Sequence, residues 1–298
     1  MSKNGFSSNV LILILLALIW GSSYILMKKG LLVFSAVQVS MLRIVFSTLA
    51  LLPFLPRAIR NLNRKDFIFI GFVGLFGSGI PSYLFPLAIS HIDSGVAGII
   101  NSLTPVFVLL FGWLFFKTAL IKEKVIGLAL AIVGASFLLF FKDSAIQFEL
   151  NHYAFYAVLA TICYGLSSNI LKSKLSHVNS MELTSLSFAL IGPFALLKLL
   201  STDFMSIMQH DANAFQAISY IAILGFVGTA LALVLFNYLI RKTDALYAST
   251  VTFMMPVVAL AWAFVDGETL NINHYLGLAF ILVGVYLTNK RWKKKLSE

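Results

Sequence analysis

Two short stripes of small and polar residues hold most of the chemistry this chain could perform. Asp93, Ala97, Asn101 and Pro105 succeed one another at four-residue steps, and Asp244, Ala248, Thr252 and Pro256 repeat the pattern 151 positions later. Residues four apart share one face of a helix. Each stripe therefore sets a carboxylate at a helix start, an amide or hydroxyl two turns on, and then a proline. That proline leaves the carbonyl of Asn101 or Thr252 without its helical donor. Asn101, Ser102 and Thr104 add side-chain donors and acceptors at the same level. Such groups hold a polar solute and break no bonds in it. Read singly, either proline could equally be a kink that only shapes helix packing, with small residues admitting close contact. The matched pair favours a cavity, because a freed carbonyl at membrane depth must face protein or a wet space.

Around the stripes stand further candidates. Arg43 is the one fixed charge well inside an apolar run. Such a residue usually faces a bundle interior or an aqueous path, where it meets either an anionic or zwitterionic substrate or helix-end carbonyls. Trp20, Tyr24, Tyr83 and Tyr164 sit beside Gly, Ser or Pro in repeated segments, as does Ser23. Their rings suit the walls of a pocket for a flat or apolar moiety, and suit interfacial packing as well. Asn237 and Asn169 are the other amides within apolar runs, with interhelical hydrogen bonding as their commoner role. Asp93 and Asp244 precede their runs at the N-cap position, where a carboxylate bonds free backbone N–H groups; proton coupling is the sharper alternative. Five isolated histidines and one cysteine, Cys163, make no metal-ligand spacing, and no nucleophile elbow, phosphate loop or cofactor motif is present.

The elements that must position these residues are membrane helices. Of 298 residues, 59% are hydrophobic and 11% charged, and the mean hydropathy is +0.92. Soluble domains carry about a quarter charged residues. A bilayer core needs roughly 20 apolar residues per helix, and runs of that kind fall at 10–29, 37–56, 67–90, 94–116 and 124–141, then at 152–171, 181–200, 215–240, 245–265 and 273–290. The expected fold is all-α integral membrane, ten transmembrane helices in two five-helix units, 1–146 and 147–298. The first run is longer than a signal-peptide core and has a counterpart in the second half, so it reads as a retained helix.

The repeat goes beyond the stripes. Trp20-Gly21 and Ser23 align with Tyr164-Gly165 and Ser167 at an offset of 144, and Lys28 then meets Lys172. Gly74 and Gly77 match Gly225 and Gly228 at 151, and Gly127-Leu128-Ala129 matches Gly277-Leu278-Ala279 at 150. Because each unit has an odd number of spans, the two must be inverted, an architecture common among alternating-access carriers. The net charge of +10 is spread through short gaps between apolar runs, which argues for membrane topology and against nucleic acid. With ten spans, seventeen Lys and Arg fall on the side of the termini and four on the other. The positive-inside bias then places both termini in the cytoplasm of a bacterial inner (plasma) membrane. The basic tail from Lys290 to Lys295 suits anionic lipid head groups.

With Trp20-Gly21-Ser22-Ser23 in the first span, Arg43 in the second and prolines in the fourth and ninth, the chain resembles the EamA-type carriers of the drug/metabolite transporter (DMT) superfamily over about residues 10–290. The resemblance implies a ten-helix fold with a central cavity and the export of amino acids, metabolites or toxic compounds. The family often has a Gly-Glu pair after spans 4 and 9; Gly267-Glu268 keeps it, whereas Phe116-Lys117 replaces it.

The expected function is secondary transport of a small organic solute by alternating access, with no cofactor or metal, by a monomer or weak homodimer embedded in lipid. The cavity is expected between spans 1, 4, 6 and 9, with contributions from 2, 3 and 8. The competing reading is an integral-membrane enzyme or lipid-handling protein using the same cavity. A reporter fused behind Glu298 is expected to signal from the cytoplasmic side; an external signal would overturn the ten-span topology.

Overall fold

The computed structural model describes residues 3–92, 94–119, 121–142, 145–146, 152–265 and 272–289. Lys3–Leu31 forms α1 and Ala36–Leu51 forms α2, which continues through a 3-10 turn at Leu52–Phe54 into α3 (Leu55–Arg60). Pro53 and Pro56 lie in the first turns of those pieces, where no backbone donor is lost, so the rod runs on past position 56 to Arg60. A 3-10 turn at Arg64–Asp66 leads to α4 (Phe67–Gly74), a π-helical turn at Leu75–Gly79, and α5 (Ile80–Ile89). Then come α6 (Ser94–Asn101), α7 (Thr104–Phe116) and α8 (Lys122–Phe140). A two-residue antiparallel ladder pairs Phe141 with Ile146 and Lys142 with Ala145.

The second part of the chain is helical as well. It comprises α9 (Ala154–Lys174), α10 (Ser180–Leu200) and α11 (Phe204–His210), the last a short helix within the 201–214 connection. Next, α12 (Ala214–Gly225) passes through a π-helical turn at Phe226–Leu231 into α13 (Ala232–Lys242). Last are α14 (Ala245–Ser249), α15 (Val251–Val265) and α16 (Ile272–Asn289). Among the described residues six helical stretches are long and apolar enough to cross a membrane: Ser8–Leu31, Ala36–Arg60, Arg64–Ile89, Ala154–Lys174, Ser180–Leu200 and Ala214–Lys242. Helices are what such sequences must form, since lipid offers the backbone no partners.

Polar side chains set the helix starts. Ser35 and Gln38 form a reciprocal capping box ahead of α2, with the Ser35 N–H donating to Gln38 Oε1 at 2.9 Å. The Tyr247 N–H donates to Asp244 Oδ1 at 2.8 Å, so Asp244 is a helix cap. Its partner in the sequence pattern, Asp93, lies outside the described residues, as do Gly267, Glu268 and the basic tail.

The prolines act differently in the two halves. At Pro105 the helix is divided outright: α6 ends at Asn101 and Pro105 occupies the first turn of α7. Pro256 lies inside α15, and the break there comes earlier, between Ser249 and Val251. A mid-helix proline leaves the carbonyl four residues back unpaired but need not end the helix when another donor serves that carbonyl. Ser102 Oγ supplies that donor to the Thr252 carbonyl at 3.1 Å.

Glycine decides how closely the two parts approach. A Cβ on Gly21 of α1 would lie 2.5 Å from Val258 Cβ of α15, and one on Gly165 of α9 would lie 2.7 Å from Phe107 Cβ of α7. The second contact is the first moved along the chain by the sequence offsets, 144 for the glycine and 151 for its partner. Near the ends, Asn61 Nδ2 donates to Glu182 at 2.7 Å, Arg57 lies 3.6 Å from the same carboxylate, and His177 meets Asp66 at 2.8 Å. At another junction, Gln38 donates to Asp203 at 2.8 Å. The Lys172 ammonium caps the end of α13, donating to the Ile240, Arg241 and Thr243 carbonyls.

Gly165 meets backbone atoms, Phe107 C at 2.9 Å and Val108 N at 3.0 Å, which cannot step aside. Gly165→Ala is therefore expected to destabilise the detergent-solubilised protein by about 1–3 kcal/mol, read as an earlier thermal midpoint. Gly71→Ala, whose Cβ would meet only Leu190 Cδ1 at 3.9 Å, should leave that midpoint unchanged or raised.

Candidate functional site

The four interruptions described above surround one space. An internal cavity of about 80 Å3 is bounded by α1, α2, α4 and α5 with their π turn, α6 and α7, α9, α10, the α12–α13 rod and α14–α15. Space of that size admits a few water molecules or a small solute. It is walled by residues from both sequence halves.

Nine of the twelve residues singled out in the sequence line it: Trp20, Ser23, Tyr24, Arg43, Asn101, Thr104, Tyr164, Asn237 and Thr252. Three do not. Tyr83 is 37% exposed, and its place on the cavity wall is taken by Ser82 and Phe85 of the same helix. Pro105 and Pro256 are buried behind the wall; they shape the backbone there without lining the space. The weighting of the spans also differs from expectation. The third and eighth contribute most broadly, from Val73 to Phe85 and from Thr229 to Ile240, and the seventh adds Thr184 and Ser187.

Arg43 is 7% exposed on α2. Its Nε donates to Thr229 Oγ1 at 2.6 Å, and Thr229 Oγ1 donates in turn to the Leu224 carbonyl at 2.9 Å. That second bond spans five residues, the spacing of the π turn itself, so the turn that widens the helix also presents the hydroxyl that holds Arg43. Ser47 Oγ, one turn along α2, fastens the same place by donating to the Gly225 carbonyl at 2.9 Å. Arg43 interacts electrostatically with Tyr24 and Tyr164. Among the described residues no carboxylate lines the cavity or pairs with this guanidinium.

The aromatic walls are fixed by their polar tips and by each other. Trp20 Nε1 donates to the Gly228 carbonyl at 2.9 Å, and the indole meets Phe236 edge-on with centroids 5.1 Å apart. Phe85 stands between Tyr24 and Tyr164, edge-on to the first at 6.1 Å and stacked with the second at 6.0 Å. The Asn101 side chain lies on the same wall, its Oδ1 accepting from Thr104 at 3.1 Å and its Nδ2 donating to Met255 Sδ at 3.6 Å. Deeper along α13, Asn237 Nδ2 donates to Thr184 Oγ1 at 3.0 Å.

Sequence reasoning missed Ser78 and Thr229 on the π turns, Thr184 and Ser187 on α10, and the apolar liners Phe85, Phe236 and Met255. A signal existed for the first pair, because each directly follows a glycine of the repeat, Gly77 or Gly228. The α10 serines and threonines carry no repeated motif, and no pattern singles out two cavity phenylalanines among 27.

These features describe a multi-pass membrane protein built around a solute-sized cavity, with no metal-holding cluster of His, Cys, Asp or Glu among the described residues. The chain belongs to the EamA-like transporter family, whose model matches residues 7–140 and 152–290. It is 25% identical over 286 residues to an uncharacterized transporter of Archaeoglobus fulgidus, covering 94% of this chain and 98% of that one. It is 24% identical to a protein of Escherichia coli described as a "Probable amino-acid metabolite efflux pump", covering 94% and 95% of the two chains. A "Probable terminal-alkyne amino-acid exporter" of Streptantibioticus cattleyicolor is likewise 24% identical, with 96% and 94% covered. A solved crystal structure 17% identical in sequence shares the fold, with a TM-score of 0.67 over 94% of this chain and 96% of that one. Family and relatives identify a transporter of small solutes.

Thr229→Val keeps the shape of the π turn and removes the hydroxyl that accepts from Arg43 and donates to Leu224. Leaving a buried guanidinium donor unpaired is expected to destabilise the protein by about 1–3 kcal/mol, measured as loss of thermal stability, while Thr229→Ser should retain most of it.

Proposed function

We propose that this chain is a secondary transporter of the inner membrane that exports a small organic solute by alternating access. Two inverted five-helix units, 1–146 and 147–298, rearrange about the central cavity. The observation that carries the reading is the composition of the cavity wall: Trp20, Arg43 and Asn101 come from one unit and Tyr164, Thr229 and Asn237 from the other. A solute held there touches both, so relative motion of the units changes the side from which it is reached. The recurrence of the Gly21–Val258 contact as Gly165–Phe107 supports the internal repeat, as do the π turns at 75–79 and 226–231. The six long apolar stretches, together with α6–α7, α8, α14–α15 and α16, make the ten spans. The charge distribution supports cytoplasmic termini, and the unit acts as a monomer or weak homodimer.

The names of the Escherichia coli and Streptantibioticus relatives favour outward movement of a compound of amino-acid size. The cavity supports that class: hydroxyls and an amide sit beside Phe85, Phe236 and Met255, so a molecule with one polar and one apolar end finds a partner for each.

Reconstitution of the purified chain in liposomes tests the reading. Asn101→Ala removes the bonds to Thr104 and Met255, and flux is expected to fall about tenfold or more while membrane insertion is retained. Wild-type flux in this variant would remove Asn101 from the site.

A further inference from the structure

We infer that the cavity selects its solute by net charge: it takes a small organic monoanion, a carboxylate on an apolar body, in preference to the zwitterion or cation of the same shape. This deepens the transport reading and rests on it. The argument is an inventory of donors and acceptors. Arg43 is buried, and its one hydrogen-bond partner among the described residues is Thr229, at Nε; Tyr24 and Tyr164 act on it electrostatically as phenols, not as carboxylates. Its two terminal nitrogens have no hydrogen-bond acceptor among the described residues, on a residue that lines the cavity. A guanidinium with both terminal nitrogens available is a fork matched to two carboxylate oxygens. Fixing the Nε on Thr229 leaves that end of the fork available to a solute.

Several acceptors in and beside the wall, by contrast, are already engaged. The Gly228 carbonyl accepts from Trp20, the Thr252 carbonyl from Ser102, Asn101 Oδ1 from Thr104, and Thr184 Oγ1 from Asn237. No carboxylate stands among the described lining residues. The ammonium of a zwitterion would thus lose its water and meet no counter-charge, whereas an anion would neutralise a positive charge the protein holds unpaired. Burial of a lone charge is costly and pairing removes much of that cost. Phe85, Phe236 and Met255 then receive the apolar body.

Three compounds sharing one phenyl group decide the matter in liposomes holding the purified full chain: phenylpyruvate (anion), phenylalanine (zwitterion) and phenethylamine (cation). Protein-free vesicles supply the leak. Phenylpyruvate is expected to move about tenfold or more faster than either of the others. Arg43→Gln should cut its rate about ten- to a hundredfold and erase the preference, and Arg43→Lys, which keeps the charge without the fork, should restore part of it. If Arg43→Gln is not recovered folded, the wild-type ranking decides alone. Phenylalanine or phenethylamine moving as fast as phenylpyruvate, or faster, overturns charge selection and leaves transport standing. No protein-dependent movement of any of the three overturns both.

Discussion

Lipid supplies no hydrogen bonds, so every place where a membrane helix departs from its regular ladder must be repaired by protein. That constraint organises this molecule. Its helices depart from the ladder at the π turns, at 101–104, at 249–251 and at the carbonyl freed by Pro256, and the repairs come from elsewhere in the fold. Trp20 serves Gly228, Ser47 serves Gly225 and Ser102 serves Thr252, each across at least 150 positions of sequence, and Asn169 serves Val108 at 2.9 Å. The irregular backbone that makes room for a cavity is therefore also what ties one part of the chain to the other. Removing the irregularities would leave straighter helices with less reason to associate in this arrangement, because apolar side chains gain little by leaving lipid for protein.

The same constraint explains why so much of the interior is serine and threonine. Ser47 and Thr48 each share their one hydroxyl proton between the carbonyl four residues back and a carbonyl of a neighbouring helix, and Thr184 donates to the Ser180 carbonyl while accepting from Asn237. A hydroxyl satisfied within its own helix can face an apolar neighbour at little cost and still offer a second bond when a solute or another helix presents itself. Arg43 is the exception, since a guanidinium has no local carbonyl that satisfies all its donors. Its cost at membrane depth, about 2.5–3.5 kcal/mol on insertion scales, must be met by tertiary contacts, and Thr229 is the contact present.

Much of this arrangement could be read from the residues, and the part that could not has a physical reason. Apolar runs found the helices to within a few positions, as with 215–240 against Ala214–Lys242. The four-residue stripes led to Asn101 and Thr252, and to Thr104 one turn on from Asn101, because helical spacing is a local property. The π turns were not legible, because regular helix and π turn have nearly the same hydropathy. The second lies beside a close tertiary contact, since a Cβ on Gly225 would lie 2.5 Å from Phe46 Cβ and 3.1 Å from the Arg43 carbonyl. The break at 249–251 was not legible either, and the donor that serves the carbonyl freed by Pro256 comes from Ser102, 150 residues away. Tyr83 resembled Tyr24 and Tyr164 in its neighbours but stands on the face of α5 away from the cavity, where only the rotation of the helix distinguishes it.

For the alternating access proposed above, the character of these repairs matters as much as their number. The two sequence halves touch through glycine contacts and through single hydroxyl or indole bonds to carbonyls, each such bond contributing about 0.5–1.5 kcal/mol net. The ion pair of Arg57 with Glu182 and the contact of His177 with Asp66 lie near helix ends and are partly exposed. Exposed ion pairs exchange readily for water and contribute little. A seam of this kind holds one arrangement without locking it: no single bond across it is strong, and each donor that lets go of a carbonyl remains able to meet another donor's acceptor or a water in the opened cavity. A buried ion pair at the centre would have cost several kcal/mol to part. Its absence among the described residues leaves the unpaired charge of Arg43 as the strongest electrostatic feature of the cavity, which makes an arriving solute, and not the protein's own side chains, the partner best able to change the balance between two arrangements.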